Sequence, residues 1–357
     1  MILFSGNSKR DLAVIIPKAV IIVCHCPERT VHTKASFLCY ADSVAHKSVK
    51  VKENFCDLKR ISKTAESADF LFAVFCDTIP VVPSYFESKE AFGLKTNFHT
   101  HTFRCHHASG TDEAYVKAAI SAGYQILGFA DHSPWKFSSN YVSHMRMTPG
   151  KEFQDYLSSI RALKKKYSDR IDIRIGLECE YFPPYMDWLK QQIKKEKLDY
   201  IILGSHFEFS EENRYYFGHR VIDAESMDRY IKSCVDGMST GLYAYLAHPD
   251  LFMRAYPEFD RICERGSIRL CREIKKLGYP LEYNLCGALE NRRTGEECYP
   301  HHLFWQIAAA EGCDVIIGTD AHSPEALSDD TLRNEGIALL QSYGANIVDR
   351  IEYFDHR

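Results

Sequence analysis

From Leu94 onward, short apolar runs alternate with longer amphipathic stretches, the pattern of strands each followed by a helix. Residues 95–99 read as a strand. Thr111, with Asp112 and Glu113 behind it, predicts the cap of a helix through Ala122 that Gly123 closes. Residues 126–131 form a second apolar strand, and Thr148-Pro149 opens a helix to about Tyr167. The alternation continues with strands at 171–178, 200–205, 242–248, 280–284 and 315–320. Helices are expected at 184–196, 223–238, 257–277, 301–311 and 324–343. Seven strand–helix units with near-continuous apolar strands imply an α/β fold with a parallel sheet covered by helices; closed, it is a barrel one unit short of the eightfold form.

Residues 1–93 differ from this pattern. Their β-like patches at 19–24 and 70–75 are separated by polar stretches without a steady period. Cys24-His25-Cys26 looks metal-like, but adjacent ligands rarely close a tetrahedral site and no second pair lies nearby. This segment reads as an N-terminal extension of uncertain structure: a small appended domain, a poorly ordered stretch, or sequence upstream of the true start. The domain division expected is therefore 1–93 and 94–357.

Composition narrows the classes. The 357 residues suit one large α/β unit plus something smaller, or two domains of similar size, and 13% aromatic residues with ordinary Gly and Pro exclude a disordered or fibrous chain. With 44 basic against 48 acidic residues the net charge is −4, which gives no broad basic field, so nucleic acid is not an expected partner and phosphate recognition must be local. The 13 Cys are odd in number, without a recurring paired spacing, and Cys105, Cys179, Cys271, Cys286 and Cys313 sit in or beside apolar runs as reduced thiols do. A reducing cytoplasm is expected. The apolar stretch at 13–16 is broken by Pro17 and Lys18, unlike a signal peptide, and no run reaches the ~20 apolar residues that cross a bilayer.

The chemistry lies at the C-terminal ends of the strands. They carry, in order, His99 and His101, Asp131 and His132, Glu178, His206, His248, Glu282 with Asn284, and Asp320 with His322. A lone histidine ending a strand is ordinarily a hydrogen-bonded surface or core residue, and His144, His219, His301 and His302 are read that way. Seven strands ending alike point instead to one metal site, because parallel barrels assemble their active sites at that face. His99 and His101 leave the same strand face and can grip one ion; Asp320 and His322 repeat the spacing on the last strand, which closes against the first. His107 follows on the loop, with His106 as a competitor. Imidazole and carboxylate ligands without thiolate suit Zn, Fe or Mn. About nine ligands exceed the needs of one ion, so two or three ions are expected, with Glu178 as the bridge.

Clustered divalent ions lower the pKa of a shared water and clamp the oxygens of a transferred phosphoryl or acyl group. No Walker-type loop and no Gly-x-Ser-x-Gly elbow is present. Hydrolysis by water is the simplest reading.

The runs His99-Thr100-His101-Thr102, Cys105-His106-His107, Gly128-Phe129-Ala130-Asp131-His132, Gly176-Leu177-Glu178-Cys179-Glu180-Tyr181-Phe182-Pro183, Gly204-Ser205-His206, Ala247-His248-Pro249-Asp250 and Gly318-Thr319-Asp320-Ala321-His322 resemble the PHP (polymerase and histidinol phosphatase) superfamily. Glu282-Tyr283-Asn284, Gly287 and Tyr299-Pro300 resemble its monofunctional histidinol-phosphatase branch. The resemblance covers Leu94 to the C-terminus. It implies a distorted (β/α)7, TIM-like barrel with three divalent metal ions: one on His99, His101, Glu178 and Asp320, one on Glu178, His206 and His248, and one on His107, His132 and His322.

The same resemblance implies hydrolysis of L-histidinol phosphate to L-histidinol and phosphate in histidine biosynthesis, by a metal-bridging hydroxide. Asp320 or His248 would donate or relay the leaving-group proton. Arg254 is the candidate phosphate ligand, because a guanidinium grips phosphate in bidentate fashion. Glu180 and Tyr181, with Phe182, are candidates for the substrate's ammonium and imidazole; packing is the equal alternative for Tyr181 and Phe182. Related barrels that act on nucleic acid or other phosphoesters, and a non-catalytic metal-binding module, are the rival readings. Oligomeric state is not legible.

Overall fold

The computed structural model describes residues 2–4, 12–14, 93–256 and 258–356. The chain divides into two units, residues 1–88 and 89–357. In the first, β1 (Ile2–Phe4) pairs antiparallel with β2 (Leu12–Val14). The apolar patches at 19–24 and 70–75 and the Cys24-His25-Cys26 run lie outside the described residues.

In the second unit one parallel run joins β3 (Thr96–Asn97), β4 (Ile126–Phe129) and β5 (Asp172–Ile175). Another joins β6 (Glu178–Cys179), β7 (Ile202–Gly204), β8 (Leu246–Ala247), β9 (Leu281–Asn284), β10 (Asp314–Gly318) and β11 (Asn346–Val348). Parallel bridges from His132 to Glu178 and from Thr100 to Ala321 connect the two runs, so the ladder returns to its first strand as a distorted (β/α)7 barrel. The strand expected at 171–178 is two pieces: Gly176 N donates to Phe129 O at 2.7 Å, and Ile202 N donates to Leu177 O at 3.0 Å. The stagger of tilted strands gives its lower half to one neighbour and its upper half to the other. Unforeseen by pattern, β11 pairs with the base of β10 while Thr96 Oγ1 donates to Asp349 O at 2.9 Å, so this short strand lies between the first and last strands.

Helices α1 (Asp112–Ser121), α2 (Lys151–Lys166) and α3 (Met186–Glu196) follow the early strands; α4 (Phe217–Arg220) and α5 (Ala224–Ser239) follow β7. Then come α6 (Arg261–Leu277), α7 (Leu285–Thr294), α8 (His302–Glu311) and α9 (Thr331–Ser342). Capping sets the boundaries. Thr111 starts α1 by accepting from Ala114 N at 3.2 Å. The helix expected from 257 begins only at Arg261, because the Asp260 carboxylate accepts from Ile262 N and Cys263 N at 2.8 and 2.9 Å. The single helix expected at 324–343 is instead a 3-10 turn (Pro324–Leu327) and α9, separated where Asp329 accepts from Thr331 N at 2.8 Å. Helix α7 has no counterpart in the expected pattern: only Leu285 and Gly287 are buried on it, which leaves almost no apolar period to read.

Most of the core lies between sheet and helices. A smaller cluster of Phe98, Ala130, Tyr200, Ile202, Tyr245, Ala247 and Ile316 packs together inside the barrel. Tyr200 anchors it by donating to Phe98 O at 2.7 Å and Phe129 O at 3.2 Å. These side chains form the floor of the site: His99, Asp131 and His248 directly follow Phe98, Ala130 and Ala247 in the chain.

Candidate metal centre

Glu178 is the hub of the site. The barrel brings five imidazoles to its buried carboxylate: His132 Nδ1 at 2.9 Å and His248 Nε2 at 2.8 Å, then His206 Nε2 at 3.4 Å, His99 Nε2 at 3.5 Å and His101 Nε2 at 3.6 Å. Room for this comes from Gly204, since a Cβ there would collide with Glu178 and with the His206 ring. Asp320 approaches from the last strand, with Oδ1 3.0 Å from His101 Nε2 and 3.5 Å from His99 Nε2. Its backbone sits in the left-handed region at φ 50°, as does that of His248 at φ 31°. Such conformations persist where the surroundings over-determine them.

A second tier of carboxylates holds the rings. Glu282, fully buried, faces His99 Nδ1 at 2.8 Å and also accepts from His248 N at 3.2 Å and Asn284 Nδ2 at 2.9 Å. Gly318 leaves the space it occupies, as an added Cβ would overlap its carboxylate. Asp131 faces His101 Nδ1 at 3.3 Å while accepting from Thr102 and from His132 N. Glu180 faces His206 Nδ1 at 3.1 Å. At the mouth the backing differs: His107 Nδ1 lies 2.7 Å from Cys105 O, and His322 Nδ1 lies 2.9 Å from Asp320 O. Both rings stack, with centroids 4.7 Å apart, and His132 is 5.4 Å from His107.

Ligand atoms of His99, His101 and Asp320 all lie within 4.8 Å of one another, as do those of His132, Glu178 and His206, and of Cys105, His107 and His322. His99 Nε2, His101 Nε2, Glu178 Oε2, Asp320 Oδ1 and His322 Nε2 are buried without a hydrogen bond. Lone pairs crowded this way are costly unless a cation shares them. The residues fit divalent metal ions.

The electrostatics agree. Burial alone would raise the Glu178 carboxyl, but the imidazoles of His206, His99 and His132 outweigh it and hold its pKa well below the ordinary range. Burial would lower His99, yet Glu282, Asp320 and Glu178 leave it well above; the field that favours a proton there favours a cation. His132 is pushed down to about 3 and His322 to about 4, chiefly by burial, so both rings are neutral near pH 7.

The remaining candidates are placed as follows. His107 joins the cluster, and His106, exposed at φ 67°, turns away at the end of a 3-10 turn. Cys105, read as a core thiol, is buried but shares a group with His107 and His322. Arg254 lies beside Tyr216 and Tyr299, whose rings flank His206 at 6.4 Å and His248 at 6.3 Å. Sequence reasoning misses Tyr216, which no motif marks, and takes Tyr299-Pro300 only as a resemblance.

The expectation for Glu180 needs correction, and for Tyr181 and Phe182 the structure takes the packing alternative. Glu180 is 1% exposed, and its oxygens are taken by Arg146, Trp135 Nε1 and His206, which leaves none for a substrate ammonium. Tyr181 packs against the main core beside Gly237 of α5. Phe182 is likewise buried against Trp135, with ring centroids 5.2 Å apart.

A parallel barrel whose strand ends converge on one cluster of imidazoles and carboxylates is a metal-dependent hydrolase scaffold. A PHP domain model matches residues 97–284, just over half of the chain, and the chain belongs to that family. A protein of Deinococcus radiodurans named probable histidinol-phosphatase is 26% identical over 231 residues, covering 63% of this chain and 85% of that protein. A histidinol-phosphatase of Bacillus subtilis is 24% identical over 252 residues, covering 64% and 93%. In fold the chain is similar to the crystal structure of a Lactococcus lactis histidinol phosphate phosphatase complexed with Zn, L-histidinol and phosphate, with a TM-score of 0.55 and 19% identity over 73% of this chain and 99% of that one.

Proposed function

We propose that this chain hydrolyses L-histidinol phosphate to L-histidinol and phosphate, as a cytoplasmic step of histidine biosynthesis. The observation that carries the reading is the Glu178 hub, a buried carboxylate ringed by five imidazoles. Relatives named histidinol-phosphatase support the substrate.

Three divalent ions, Zn, Fe or Mn, would be held by His99, His101, Glu178 and Asp320; by Glu178, His206 and His248; and by His107, His132 and His322. Bound there, such ions supply a water of lowered pKa and positive charge for the phosphoryl oxygens. Arg254, between Tyr216 and Tyr299, grips the phosphate from the open side. Asp320 relays the proton. Burial would raise its carboxyl, but the imidazoles of His99 and His101 hold it well below the ordinary range; with Oδ1 turned to those rings, Oδ2, which accepts from Asn284 Nδ2 at 3.1 Å, is the oxygen assigned to carry the proton from the attacking water to the departing alcohol oxygen. His248 Nε2, 2.8 Å from Glu178, is better placed as a ligand than as this acid.

The test is phosphate release from L-histidinol phosphate, a nucleoside monophosphate and an aryl phosphate, before and after chelation, with Glu178→Gln as the inactive control. Preference for histidinol phosphate, lost on chelation, is expected. Equal turnover of all three, or turnover that survives chelation, defeats the reading.

A further inference from the structure

Arg146 is 2% exposed in the loop after β4, and its guanidinium bonds to its own loop and to two carboxylates from other parts of the chain. Nη2 donates to Glu180 Oε1 at 2.8 Å, and Nη1 donates to Glu180 Oε2 and to Ser133 O, both at 3.1 Å. In the other direction, Nε donates to Glu211 Oε2 at 2.6 Å. Glu211, in the loop after β7, accepts at Oε1 from Tyr141 Oη at 3.0 Å and Ser143 Oγ at 2.6 Å. One guanidinium thus ties together two active-site loops and the carboxylate that backs His206.

We propose that Arg146 is a positioning residue for the His206 ligand: by fixing both oxygens of Glu180, it aims Glu180 Oε1 at His206 Nδ1 and so presents Nε2 to the ion shared with Glu178. The inference rests on the reading above that His206 holds a metal ion. A proton kept on Nδ1 by a carboxylate leaves the Nε2 lone pair free and raises its basicity, the usual arrangement of metal-bound histidine. Without its partner, Glu180 would be a buried, uncompensated charge free to turn toward His206 or toward Trp135 Nε1, 2.8 Å away. Lysine cannot replace arginine here, since a single ammonium cannot reach Glu180, Ser133 and Glu211 from one position. Nothing in the local sequence announces this. Arg146 is flanked by Met145 and Met147, and its partners lie 34 and 65 residues away.

The full chain, stripped and reloaded with Zn, is titrated with a chromophoric chelator, and the affinity of each ion and the melting temperature are recorded for wild type, Arg146→Lys and Glu180→Gln. One ion should be held about 10–100-fold more weakly in both variants, with the remaining ions unmoved. A lowered melting temperature with every Zn affinity unchanged means that Arg146 only supports the fold, and overturns the proposal. Should Arg146→Lys fail to fold, Glu180→Gln reads the same link from its other end, and unchanged affinities there overturn it equally. A wild-type chain that retains no Zn defeats the underlying metal reading instead, which separates the two failures.

Discussion

The deep and outer halves of the site use the same residue types but hold them differently. His99, His101 and His206 each lean on a buried carboxylate, Glu282, Asp131 and Glu180 respectively. His107 and His322 lean on backbone carbonyls, on a surface that solvent reaches. A carboxylate partner raises ligand basicity and locks the ring more firmly than a neutral carbonyl does. The lesson is that, with ions held as proposed, affinity in this centre would be graded from floor to mouth, the inner positions retaining their ions and the outer one exchanging more readily.

The harshest way to break the contrast is to remove the hub. Glu178→Gln should lower phosphate release from histidinol phosphate by about a thousandfold or more, since several kcal/mol of charge stabilisation depends on what that carboxylate holds. Activity near wild type at saturating Zn would mean the inner half is not the reaction centre. Next in size, Glu282→Gln should weaken the tightest-held ion by about 10–100-fold, read by chelator competition. An equal loss from the loosest ion would show that the grading is absent. His107→Ala should reduce Zn content measured by atomic absorption by one ion while the others keep their affinities; a chain stripped of every ion would show that floor and mouth are one unit. The smallest effect is expected from Tyr200→Phe beneath the site, which removes the hydroxyl bonded to Phe98 O and Phe129 O and should cost about 1 kcal/mol in denaturant unfolding with Zn affinity unchanged. A change in Zn binding there would mean that the floor tunes the ligands.

Strands and helices with a strong period or a good cap are legible in the sequence. Beside Thr111 at the start of α1, the clearest case is α5, where Asp223 and Ser226 form a capping box ahead of an apolar face. The pattern fails where burial is slight, as in α7, or where a strand is a three-residue filler, as in β11. Among the site residues, His99, Glu178 and Asp320 can be singled out because strand ends of a parallel barrel converge whatever their separation in sequence. Glu180 cannot be placed correctly, because a carboxylate two residues past the hub is equally compatible with facing a substrate or backing a ligand.

By itself, the sequence determined the barrel class and the chemical type of its centre, since hydrophobic period specifies the elements and residue identity specifies which donors reach the strand ends. Tertiary structure alone decided the second tier: which carboxylate stands behind which imidazole, that Arg146 closes on Glu180, and that Tyr216 and Tyr299 flank Arg254. Those pairings join residues tens to hundreds of positions apart through side-chain directions that no local period encodes, and they exist only once the packed strands leave a few buried groups no other partner.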